Sequence, residues 1–73
     1  MARVVVPRGP RYRPWVLDAE TVDEVKNHLA NVCQERKQAR REATMDGPVR
    51  VGWCNEMIDK LLALLSKLAK VDA

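Results

Sequence analysis

The sequence predicts a mostly helical α+β fold. Two antiparallel helices, at about residues 21–44 and 55–71, are flanked by a minimal two-stranded sheet from about 3–6 and 49–53. Three features carry that expectation. Residues 18–44 and 55–73 contain neither Gly nor Pro and place apolar residues at helical spacing. Met45-Asp46-Gly47-Pro48 separates them with a turn signal, since Gly accepts a left-handed backbone and Pro cannot continue a helix. Two short runs, Val4–Val6 and Val49–Trp53, have strand character.

The first helix has a defined start. Thr21 and Glu24 have capping-box spacing, and Asp18, Glu20 and Asp23 put negative charge at the positive end of the helix dipole. Val22, Val25, Leu29 and Val32 follow at 3-4-3 spacing and predict one buried stripe. Beyond Cys33 the stripe fades: QERKQARREAT offers only Ala39 and Ala43 to a core.

After the turn, Val49, Val51 and Trp53 alternate with Arg50 and Gly52, the pattern of a strand; the alternative is that Pro48 opens the second helix directly. Asn55 is a suitable N-cap. Met57, Ile58, Leu61, Leu62, Leu64, Leu65, Leu68 and Val71 then fill about half the circumference at ~100° per residue. One neighbouring helix requires a narrower stripe, so this face calls for a second cover, either the N-terminal segment or a partner. A dimer seam through the surplus is a further option. Val4–Val6, paired with Val49–Trp53, is the favoured cover, with Trp15-Val16-Leu17 adding apolar contact ahead of the cap.

With 73 residues there is room for a single domain, 1–73, that hides roughly 60% of its unfolded surface. Hydrophobic residues at 47% and charged residues at 32% give a globular composition. A net charge of +3 allows an acidic or phosphate-bearing partner without demanding one. Cys33 and Cys54 lack metal-site spacing and His28 cannot complete a zinc set with them; His28 itself reads as a surface residue. The expectation is two buried, inert thiols, too far apart for a disulfide, in a reducing cytoplasmic setting, with no metal and no cofactor. The first residues lack a secretory apolar run, and LLALL is far short of a membrane span. No Gly-rich phosphate cradle, supported Cys/His pair or carboxylate pair points to catalysis, so the chain reads as a binder.

Two features are candidate binding surfaces. Residues 1–17 carry Arg3, Arg8, Arg11 and Arg13, three prolines, Tyr12 and Trp15, with no acid. A loose solvated tail and a nucleic-acid arm are both open readings. The leading one is a strap for a protein partner, because proline limits chain entropy while guanidinium and aromatic groups suit interface hot spots. Its candidate contacts are Val4, Val5, Val6, Arg8, Arg11, Tyr12, Arg13 and Trp15, with the valines adding a strand to, or accepting one from, the partner. On that reading, deleting residues 1–14 weakens partner binding far more than it unfolds the helices. The second feature is Arg36, Lys37, Arg40 and Arg41, like-charge pairs at i,i+4 spread over a face about 140° wide. An ordinary solvated helix end competes there with contact to carboxylates or phosphates.

MARVVVPRGPRYRPWVLDAETVDEVKNHL, QERKQARRE and WCNEMIDKLLALLSKLAK together resemble the small RNA-polymerase-binding transcription regulators made by lytic bacteriophages of Xanthomonas. The resemblance spans the chain but contains no short diagnostic motif, so no family contact residue is carried over. It implies a monomeric regulator in the host bacterial cytoplasm that docks on RNA polymerase, at the N-terminal region of β′ near the RNA exit channel and the β flap. There it would interfere with the sigma factor at initiation and promote antitermination. The alternative is a small basic nucleic-acid-binding protein.

Overall fold

A computed structural model describes residues 2–42 and 45–70 in full, and the backbone of 71–72. Four elements follow in order: strand β1 (Ala2–Val6), strand β2 (Trp15–Ala19), helix α1 (Val22–Arg41) and helix α2 (Gly47–Asp72). This is a small, mostly helical α+β fold with two helices and a two-stranded antiparallel sheet, the class the sequence predicts. The expected core position Ala43 and the side chain of Val71 lie outside the described residues.

The sheet uses a different second strand from the one expected. β1 pairs with β2 in the register Ala2↔Ala19, Val4↔Leu17 and Val6↔Trp15. Residues 49–53 belong to α2, which also displaces Asn55 from the capping role into the helix interior. Two physical reasons favour this outcome. Closing a hairpin from 2–6 to 15–19 costs less chain entropy than reaching 49–53. Pro48 also sits in the first turn of α2, where its missing N–H has no intrahelical partner to lose. Arg50 N donates to Asp46 O at 2.9 Å, the bond that opens the helix.

α1 begins as its sequence indicates. Glu24 N donates to Thr21 Oγ1 at 3.2 Å, and the Thr21 hydroxyl reaches the Glu24 carboxylate at 3.3 Å. Val25, Val32 and Ala39 are its buried stripe, with Leu29 half-buried against the core. Cys33, one position beyond Val32, turns about 100° off that stripe and is exposed. Only Cys54 has the buried environment expected of both thiols, and both cysteines are free.

The hairpin lies over the helix pair, with β1 against α2 and β2 against α1. Alternation aims Val4, Val6 and Ala19 inward, with Trp15 and Leu17 half-buried beside them. They meet Val25 and Val32 of α1 and Cys54, Met57 and Leu61 of α2 in one core. The broad apolar face of α2 is therefore shared between a helix and the N-terminal strand. Leu64, Leu65 and Leu68 extend that packing, while Leu62 is exposed.

Candidate protein-docking site

The hairpin connection, residues 7–14, is the middle of the 1–17 segment expected to act as a strap. Its ends are fixed by the ladder between Val6 and Trp15. Gly9, at φ 85°, makes the left-handed turn that a side chain would strain. Arg8 Nε donates to Arg13 O at 2.8 Å and ties the two limbs of the loop together.

The loop rests on the first turns of α2. Tyr12 meets Trp53 edge-to-face, with ring centroids 5.4 Å apart and planes at 65°. The Arg8 guanidinium carbon stands 5.9 Å from the Trp53 ring centroid, within cation–π range. Arg8, Tyr12 and Trp15 from the hairpin, Arg50 and Trp53 from α2, and Glu35 from α1 surround a cleft of about 240 Å³. That is below the size typical of small-molecule sites but suits one protruding side chain. Arg50 closes one wall through a 2.7 Å ion pair with Glu42, whose hydrogen bond raises the Arg50 pKa above its ordinary value. Beneath it, burial first and Glu35 second push the Cys54 thiol up, with Arg50 opposing them.

The structure divides the strap residues. Arg8, Tyr12 and Trp15 converge on the cleft. Arg11 and Arg13 are exposed on the loop. Val4 and Val6 are core, so their side chains are not available to a partner, while Val5 faces outward opposite Val16. Strand addition is restricted on both edges. In an antiparallel pair a residue's N–H and C=O point to the same side, so a carbonyl that accepts from outside the ladder marks a free edge. On β1, Lys60 Nζ donates to Val5 O; on β2, His28 Nε2 donates to Asp18 O at 2.9 Å. Each helix thus sends one side chain to cover the strand above it. Arg3 and Asp18, paired in register, form a 3.0 Å ion pair on the outer face.

Sequence reasoning missed Arg50, Trp53 and Glu35 as members of this site. Arg50 and Trp53 are three apart, adjacent on a helix but on opposite faces of a strand, so the assignment of 49–53 hid their convergence.

Arg36, Lys37, Arg40 and Arg41 form a separate cationic face on α1 with no residue in common with the cleft. Arg36 Nη1 donates to Asn55 Oδ1 at 3.0 Å, and among the described residues none of the four is in an ion pair. Also among the described residues, no group of three His, Cys, Asp or Glu could hold a metal ion, and no helix is long and apolar enough to cross a membrane.

No protein-family model, curated protein or solved structure matches the chain.

Proposed function

We propose that this protein is a monomeric docking factor whose hairpin loop binds host bacterial RNA polymerase in the bacterial cytoplasm. Binding would inhibit initiation by interfering with the sigma factor and promote read-through of terminators. The partner is taken from the resemblance of the sequence to phage polymerase-binding regulators. The contact surface rests on one observation: a loop with three arginines and Tyr12 is held on Trp53 by the Tyr12 edge-to-face contact and the Arg8 cation–π contact.

The energetics favour that surface for a protein partner. Trp, Tyr and Arg dominate interface hot spots, and anchoring them beforehand reduces the ordering cost of association. Exposed Arg11 and Arg13 beside the cleft suit carboxylates, with Arg forming forked pairs. A side chain from the polymerase β′ N-terminal region or β flap would enter beside Trp53, while the surrounding charges set encounter rate and specificity.

The test is titration of the protein with purified bacterial RNA polymerase, followed by tryptophan fluorescence at low and moderate salt, with run-off transcription in parallel. Saturable binding that persists at moderate salt is expected. Arg11→Gln/Tyr12→Ala should weaken it at least about tenfold, the loss of one hot-spot contact. Absence of any polymerase response from the folded protein overturns the reading.

A further inference from the structure

The cationic face of α1 is built differently from the hairpin site and has no role in it. Counting three and four residues either way within α1 from Arg36, Lys37, Arg40 and Arg41 meets only Val32, Cys33, Gln34, Gln38, Ala39 and the cations themselves. No carboxylate occupies the positions where a solvated helix ordinarily interleaves opposite charges. The acids of the same region lie elsewhere: at ~100° per residue Glu35 and Glu42 fall on the far side of α1. Glu35 lines the hairpin cleft there, and Glu42 pairs with Arg50. Around these cations the charges are therefore segregated, with Glu35 on the cleft side of α1 and Glu42, its C-cap, paired with Arg50 of α2.

The helix dipole accounts for only part of this. Arg40 and Arg41 occupy the last turn, where cations are favoured, but Arg36 and Lys37 lie a turn further in, where that effect has faded. Lys37, Arg40 and Arg41 are exposed, Arg36 half-exposed, and together with Cys33 they line an open depression of about 500 Å³. No aromatic side chain lines it, in contrast to the hairpin cleft. A protein interface needs a desolvated anchor of that kind; phosphate-backbone binding needs only arrayed cations. Three of the four are arginines, which match phosphate geometry.

We infer that this face is a second binding site, for the phosphate backbone of a DNA duplex, independent of whichever protein the hairpin grips. A helix with side chains is about 10–12 Å across and the major groove about 12 Å wide. Cations fanned over about 140° of one helix face reach phosphates on both walls of that groove. The contact reads charge spacing and not base sequence.

The experiment is polarisation of a short, labelled, mixed-sequence DNA duplex titrated with the full chain across a salt series. Four phosphate contacts give a slope of log K against log salt of about −3.6, so a fourfold rise in salt weakens binding about a hundredfold. Lys37→Gln/Arg41→Gln, both at exposed positions, should halve the slope and reduce the same loss to about tenfold. Circular dichroism should show unchanged helix content in that variant. Arg11→Gln/Arg13→Gln in the loop should leave the slope in place. The inference is overturned if the duplex does not bind at low salt, or if the helix variant keeps the full slope. It is equally overturned if the loop variant flattens the slope instead, or if polyglutamate displaces the duplex at equal charge; the last result would make the face a carboxylate site on a protein.

Discussion

Cys33 and Cys54 are separated by environment, and their chemistry should follow. Thiolate is the reactive form, and access limits it. An aromatic disulfide reagent should consume one thiol equivalent rapidly from the native protein, the exposed Cys33, and a second only in denaturant. Two fast equivalents would show that Cys54 is not packed as described. The buried thiol also carries a pH dependence. Burial raises its pKa above the ordinary value, so between the unfolded and folded pKa values the folded state holds the proton that the unfolded state has lost. The stabilising effect is complete below the ordinary thiol pKa of about 8.5 and is lost as pH climbs through the folded value. The urea midpoint should therefore fall over that window. In Cys54→Ala, whose baseline stability is lower, that part of the fall should be missing; an unchanged slope would assign it to other groups.

At the scale of elements, α2 is decided by which of its apolar residues the hairpin and α1 cover. Met57 is fully buried, whereas Leu62 is 49% exposed, although both belong to the same leucine-rich pattern. Met57→Ala should cost about 2–5 kcal/mol, comparable with the whole margin of a chain this small, and leave much of the population unfolded. Leu62→Ala should stay within about 0.5 kcal/mol. Similar large losses at both positions, with a concentration-dependent midpoint, would indicate that Leu62 is buried against a second copy.

The helices were legible because their signals are local. The Thr21 cap, the Val25–Val32 spacing and the run from Met57 to Leu68 each specify helix without reference to distant residues. Strand pairing is a choice between partners, and two segments were eligible for β1. Trp15-Val16-Leu17-Asp18-Ala19 has the period of a strand, and Asp18 stands opposite Arg3, but its position just before a capping box made it read as a lead-in. Val49–Trp53 alternates equally well, yet Arg50, Cys54, Met57 and Leu61 also continue a helical stripe without a break. The shorter loop and the Pro48 start resolved the ambiguity, and the cleft around Trp53 became visible only with it.

The molecule as a whole is a thin plate. Its principal extents are 44, 25 and 13 Å, and its radius of gyration of 13.1 Å exceeds the ~11 Å of a compact chain of this length. The 26-residue α2, about 39 Å long, sets the long axis, and the hairpin runs along it. In so thin a body no residue is far from the surface, and the N-terminal segment has two duties: Val4 and Val6 are core, while Arg8 to Arg13 form the loop. Fold and proposed docking loop should therefore not be separable by truncation, against the expectation that deleting residues 1–14 weakens partner binding far more than it unfolds the helices. Deletion removes β1, leaves β2 without a partner and exposes Met57 and Leu61, so the truncated chain should lose its helical signal and its cooperative melt. Replacing residues 8–13 by Gly and Ser, with Pro7, Pro14 and both strands kept, removes the contacts on Trp53 and the Arg8–Arg13 hydrogen bond and leaves the core residues in place. That change should lower stability by about 1–2 kcal/mol, the combined size of one aromatic pair and one exposed cation–π contact. The replaced protein should melt cooperatively, retain the salt-dependent duplex binding of α1 and lose polymerase binding. If the deletion instead stays folded, the valines are not the second cover of the α2 face. If the loop replacement still binds polymerase, the docking surface lies elsewhere on the plate.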